Sequence, residues 1–123
     1  MVGILLVSHS AKLVEGLDEL LKQVVGDVSI VTAGGDEDGN IGTHFDKIQA
    51  AVEEAGSGDD GALVFYDLGS AKMNAEMAIE VVESEDVRLV SYPIVEGSYL
   101  AAVEASIGKS LDDILASLEK EFG

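Results

Sequence analysis

The stretch "GILLVSHSAKLVEGLDELL", Gly3 to Leu21, decides how the rest of the chain is read. Its aliphatic run, with Val2 in front, has no polar interruption before Ser8, as expected of a strand covered on both faces in a parallel sheet. After "SHS" (8 to 10) the period changes. Leu13, Leu17, Leu20, Leu21 and Val24 recur at spacings of three and four, the mark of a helix that lays one apolar stripe on a sheet. A buried strand feeding an amphipathic helix is the first half of a βαβ unit, and a lone histidine, His9, sits at the joint.

Outward from this unit the pattern repeats. Further strand-like runs are "VSIVTA" (28 to 33), "ALVFY" (62 to 66) and "VRLVSY" (87 to 92). Helical spacing returns in Phe45, Ile48, Val52 and Ala55, and again in Met73, Met77, Val81 and Val82. Two terminal helices follow in "PIVEGSYLAAVEASIG" and "SLDDILASLEKEF", the second with Leu111, Ile114, Leu115 and Leu118 on one side. Thr43 with Asp46 and Ser110 with Asp113 have helix-capping spacing, and Ser10, Ser70 and Ser98 are further cap candidates. Strict alternation of strand and helix predicts an α/β fold: an open, doubly wound, mainly parallel sheet of four or five strands with helices on both faces. With 123 residues and neither repeat nor linker, a single domain over 1–123 is expected, "GSGDDG" (56 to 61) being a surface turn.

Composition removes several classes of function. Hydrophobic residues make up 47% of the chain and mean hydropathy is +0.26, ample for a packed core. No apolar run approaches the roughly 18 residues of a membrane span, and no leader pattern opens the chain, so a soluble cytoplasmic protein is expected. Seven basic against 24 acidic residues give a net charge of −17, which repels nucleic acid and anionic membranes. Much of that charge, including Glu15, Glu19, Glu53, Glu54, Glu80 and Glu83, falls on the polar sides of predicted helices and reads as a solvated surface. With no cysteine, disulfides, thiolate chemistry and cysteine-based zinc sites are excluded.

In a doubly wound sheet, ligands gather outside the carboxyl ends of the strands. Here those ends are followed by "SHS" (8 to 10), "GGDEDGNIGTH" (34 to 44), "DLGSAKMN" (67 to 74) and "PIVEGS" (93 to 98), all polar or glycine-rich. His9 is thereby placed on the rim, next to the unpaired first amides of a helix, where phosphoryl oxygens find donors and Ser10 offers a hydroxyl. A histidine so placed fits a phosphoryl-accepting nucleophile. Asp67 ends the third strand on the same rim. It can orient one imidazole nitrogen and leave the other nucleophilic, or it can simply begin a turn. His44, at the entrance to the second helix, can cap, approach the rim or be exposed. No Walker-type GxxxxGK[ST] occurs, "GGDEDG" lacks calcium-loop spacing, and no metal is required.

The segments "GILLVSHS" with His9, "GG" followed by "DGNIGT" (38 to 43), "FYDLGSAKMNAEMA" (65 to 78) and "PIVEGSYLAAV" (93 to 103) carry a resemblance over most of the chain. The sequence resembles the phosphocarrier subunits of phosphoenolpyruvate-dependent dihydroxyacetone kinases, whose domain is similar to the mannose-type IIA domain of the sugar phosphotransferase system. The resemblance implies that His9 accepts a phosphoryl group from the histidine carrier protein HPr and donates it to ADP held by the kinase's nucleotide subunit. It implies Asp67 as the residue orienting His9, Ser10, Thr43, Gly69 and Ser70 as phosphate- or partner-binding residues, a homodimer, and no cofactor, nucleotide pocket or metal of the subunit's own. His44 stands where the family commonly has a small hydroxyl residue. "DLGSAKMN" speaks against the nearest rival, a mannose-family sugar-transport IIA component, where a "GGSP"-like turn is expected. A regulatory, non-catalytic domain controlled by phosphorylation is the rival of a different class. A phosphohistidine hydrolase or mutase needs arginines around phosphate, and Arg88 alone, at the start of a strand, does not provide them.

Overall fold

A computed structural model describes all residues, 1–123. The chain forms β1 (Gly3–Ser8), α1 (Ala11–Val24), β2 (Ile30–Gly34), α2 (Phe45–Ala55), β3 (Ala62–Tyr66), α3 (Gly69–Val82), β4 (Val87–Leu89), α4 (Ile94–Ser106) and α5 (Leu111–Phe122). The sheet has four strands in the order β2-β1-β3-β4, every neighbouring pair parallel. The expected α/β doubly wound architecture is therefore present, with four strands. Because β1 connects outward to β2 and the chain then crosses back to β3, the turns leaving β1 and β3 part company at the sheet's switch point, opening a crevice between them.

Alternation along the central strands divides the core in two. Ile4, Leu6, Leu63 and Phe65 face a layer built from α1, α4 and α5, where Leu21, Ala101, Ala105, Ile114 and Leu118 are buried. Leu5, Val7, Ala62 and Val64 face α2 and α3. Ser110 caps α5 by accepting from the Asp113 amide, as its spacing predicts. β4 is shorter than the run "VRLVSY" suggests, although the Val90 amide still donates to the Val64 carbonyl at 3.0 Å. β2 begins at Ile30, later than its apolar run does.

The helical stripes need correction in two places. In α1 the buried line is Val14, Leu17 and Leu21, whereas Leu13, Leu20 and Val24 face outward. In α3 the inversion covers three of the four expected residues: Ala71, Ala75 and Ala78 face the sheet and Met73, Met77 and Val81 are exposed, while Val82 packs partly buried against the core. Hydropathy favours the larger residues as the buried set, but the face that α3 turns to the sheet and α2 carries the three alanines. Three cap expectations also fail. His44, not Thr43, is the N-cap of α2; Leu68 caps α3, so Ser70 lies within its first turn; and Ser98 lies inside α4, donating to the Val95 carbonyl.

Candidate functional site

Ser8 ends β1 and Asp67 follows the last residue of β3, so the two lie on opposite sides of the switch-point crevice. His9 bridges them. Its Nδ1 lies 3.0 Å from Asp67 Oδ1, and its amide donates to Oδ2 at 3.1 Å. The Ser8 hydroxyl donates to Oδ2 at 2.6 Å and the Leu68 amide to Oδ1 at 2.7 Å. Ser8 Oγ in turn accepts the Ser10 amide at 3.0 Å. Burial by itself would push the Asp67 carboxyl up; the hydrogen bonds from the Ser8 hydroxyl, the His9 ring and the His9 and Leu68 amides outweigh it and hold the group below its ordinary value.

An ionised carboxylate only accepts, so the nitrogen facing it carries the proton. In the neutral ring this assigns hydrogen to Nδ1 and the lone pair to Nε2. The other face of the ring meets Ser70, whose hydroxyl contacts Nε2 as a hydrogen-bond partner. Ser70 belongs to the first turn of α3, and the N-cap residue Leu68 offers no side-chain acceptor there. The Gly69 and Ser70 amides are thus left at the positive end of α3, in the turn whose Ser70 hydroxyl contacts Nε2. The His9 and Asp67 side chains are only 18% and 15% exposed, yet the ring sits at an open rim. An apolar groove of about 370 Å³ between Leu20, Val95, Tyr99, Leu100 and Phe122 lies on the α1, α4 and α5 layer and includes neither residue.

The other sequence-derived candidates divide. Ser10 Oγ accepts from the Leu13 amide and caps α1, so it supports the helix that begins next to His9. Thr43 Oγ1 accepts from Asn74 Nδ2 at 2.9 Å, tying the 34–43 loop to α3. From that loop the Gly42 amide donates to the His9 carbonyl at 2.9 Å; Gly42 has φ +148°, a conformation that favours glycine. His44 is directed elsewhere. Its Nε2 lies 3.3 Å from Glu37, and no hydrogen bond joins it to His9.

Two residues outside the site residues expected from the sequence build this site. Ser8 is 1% exposed, a polar residue closing an otherwise aliphatic strand, and that anomaly was visible in "LLVSHS". Lys47 reaches back from α2 to the Gly34 and Asp36 carbonyls at 3.2 and 2.8 Å and holds the base of the 34–43 loop. Nothing in its sequence context marks it. Gly34 lets β2 and α1 meet, since a Cβ there would lie 2.5 Å from Val14 and 2.8 Å from the Ser10 carbonyl. No group of three or more His, Asp or Glu side chains is arranged to hold a metal ion.

Residues 3–115 match the sequence model of the family EIIA-man, described as the PTS system fructose IIA component. The chain is 41% identical over 117 residues to the phosphoryl donor subunit DhaM of PEP-dependent dihydroxyacetone kinase 1 of Listeria innocua, covering 95% of this chain and 92% of that protein. It is 38% identical over 118 residues to the phosphotransferase subunit DhaM of the PTS-dependent dihydroxyacetone kinase of Lactococcus lactis, covering 96% and 94%. A crystallised protein described as of unknown function superimposes with a TM-score of 0.85 at 34% identity, over 98% of this chain and 95% of that one.

Proposed function

Because the chain belongs to the EIIA-man family, we propose that it is a phosphohistidine carrier which takes a phosphoryl group from the histidine carrier protein HPr onto His9 Nε2 and passes it to ADP bound to the nucleotide subunit of a dihydroxyacetone kinase. The observation that carries this reading is the Asp67–His9–Ser70 line. Asp67 fixes the proton on Nδ1, Nε2 keeps its lone pair, and Ser70 with the first amides of α3 waits where phosphoryl oxygens would arrive.

In the first transfer the Nε2 lone pair attacks phosphorus, the donor's P–N bond breaks, and its electron pair stays on the donor imidazole. No proton has to move, since Nδ1 keeps its proton, donated to the Asp67 carboxylate, throughout. The Ser70 hydroxyl turns from Nε2 to a phosphoryl oxygen. Phosphorylation gives the ring positive character, which the Asp67 carboxylate stabilises. The second transfer reverses these steps: the Nε2–P bond breaks and a terminal oxygen of ADP forms the new bond. The subunit supplies no nucleotide site in this scheme. Its role is cytoplasmic, it works as a homodimer, and no helix is long and apolar enough to cross a membrane.

The test is a reconstituted relay: phosphoenolpyruvate, the first enzyme of the phosphotransferase system, HPr and this chain, followed by the ADP-loaded kinase subunit. Intact mass should report one added phosphoryl group, lost on addition of the kinase subunit as ATP appears. A phosphorylated chain that keeps its group in the presence of that subunit and gives it to a sugar-transport IIB domain would replace this reading by the transport one.

A further inference from the structure

The two side-chain hydrogen bonds that α3 makes outside itself both lead to the candidate site. Ser70, in its first turn, meets Nε2 of His9, and Asn74, one turn on, donates from Nδ2 to Thr43 Oγ1 at 2.9 Å in a partly buried contact. Residues four apart lie on one face of a helix, so both contacts leave from the same side. Little else in α3 is built to fix it there. Its N-cap, Leu68, makes no side-chain cap, and its buried face is Ala71, Ala75 and Ala78, which have no polar group to offer.

Thr43 is in turn joined to His9 through the backbone. The neighbouring Gly42 amide donates to the His9 carbonyl at 2.9 Å, and at the other end of the 34–43 loop the Gly35 amide donates to the Ser8 carbonyl at 3.1 Å. The loop is therefore fastened to the peptides on either side of the nucleophile, and Asn74 is the side chain that fastens α3 to the loop. A closed path results: from Nε2 through Ser70 along one turn of α3 to Asn74, then through Thr43 and Gly42 back to His9. We propose that Asn74 is a positioning residue for phosphoryl transfer, holding α3 against the loop so that the Ser70 hydroxyl stays in register with His9 Nε2. Phosphoryl transfer depends on placement and charge stabilisation, so a small shift of Ser70 is felt in the rate. The inference rests on the carrier reading of His9 and adds to it the residue that keeps the accepting nitrogen and its neighbouring hydroxyl together.

Asn74→Ala removes the donor of this link, Thr43→Val removes the acceptor while keeping the branched shape, and Thr43→Ser keeps the hydroxyl. Phosphorylation of His9 is followed by intact mass in single turnovers against the concentration of phosphorylated HPr, and separately with phosphoramidate, a small donor that needs no protein surface. With both donors the maximal rate should fall about three- to tenfold in Asn74→Ala and in Thr43→Val, the rate equivalent of one hydrogen bond. The HPr concentration giving half that rate should stay within about twofold, since uniform binding is not what is lost. Thr43→Ser should keep most of the rate. The losses should not add in the double variant, and Asn74→Ala should slow a Ser70→Ala chain no further, because each change cuts the same path. A lowered melting temperature with an unchanged maximal rate overturns the inference, since the link would then be structural only. So does a loss that appears only as a higher half-saturating HPr concentration, or one that adds to that of Ser70→Ala. Phosphorylation of the unaltered chain by phosphoramidate but not by HPr overturns the carrier reading, while the phosphoramidate rates still decide the role of Asn74. A chain that accepts from neither donor removes both.

Discussion

The molecule has two histidines, each immediately outside or at the N-terminal entrance of a helix, and their surroundings differ in every respect that matters for chemistry. His9 has its amide, carbonyl, Nδ1 and Nε2 all engaged, by Asp67, Gly42 and Ser70, within a crevice between two central strands. His44 has one ring contact, to Glu37, whose side chain is 70% exposed. A carboxylate that is itself held by four donors cannot turn away, so it fixes a tautomer. A carboxylate on a solvated loop can do neither, because water competes for both partners. Reactivity is thus assigned by what holds the histidine's neighbour rather than by the histidine.

The contrast can be broken by substitution, and the largest effect belongs to His9→Ala. Phosphorylation in the relay should vanish while circular dichroism and melting stay close to those of the unaltered chain, because a rim side chain is removed and the two cores are untouched. A His9→Ala protein that still gains a phosphoryl group would overturn the assignment.

Asp67→Asn comes next. It keeps the shape but replaces a charged acceptor pair by one acceptor and one donor, and the donor must face either Ser8 and the His9 amide or His9 Nδ1 and the Leu68 amide. Loss of one charge-assisted bond in the transition state slows transfer by about ten- to a hundredfold. The pH dependence of stability sharpens the point. Asp67 is held below its ordinary value in the folded chain, so its contribution is complete above the unfolded carboxylate value and is lost as pH falls through the lower folded one. The stability difference between the unaltered chain and Asp67→Asn should therefore be constant near neutrality and shrink only below about pH 4. A difference that stays flat down to the acid transition would mean that these contacts do not hold Asp67 below its ordinary value.

Ser8→Ala should act through Asp67. It deprives Oδ2 of one donor and leaves the Ser10 amide without its acceptor, costing about 1–2 kcal/mol of stability and slowing transfer about three- to tenfold. Urea unfolding and single-turnover rates measure the two effects. Ser8→Thr, which keeps the hydroxyl, should recover most of the rate, and a lowered rate in both variants would point to packing instead. The smallest effect is His44→Ala, for which relay rates should stay within about twofold and stability within about 0.5 kcal/mol, as for an exposed ion pair. A larger loss of rate would bring His44 into the chemistry and erase the contrast.

Much of this was legible before any coordinates. Continuous aliphatic runs alternating with three-and-four spacing are a direct consequence of strands buried on both faces and helices buried on one, so "GILLV" and "ALVFY" could be read as central strands and their polar successors as one rim. His9 and Asp67 became candidates together because parallel strands carry all their carboxyl ends to the same edge. The third helix was misread for an equally physical reason. Its alanines and its methionines share the same period, and hydropathy prefers the larger side chains, whereas the face packed on the sheet and α2 is the one with the smaller.

Periodicity is a property of one element and survives in the sequence, so the chain by itself determined the βα alternation, the rim and the two residues facing across it. What an atom touches across the crevice depends on the distance between elements far apart in the chain, and no local pattern encodes it. Only the folded structure therefore decided that Ser8 and two amides hold Asp67, that Nδ1 of His9 faces Asp67 and Nε2 faces Ser70, that Thr43 pairs with Asn74 instead of capping α2, and that His44 points away to Glu37.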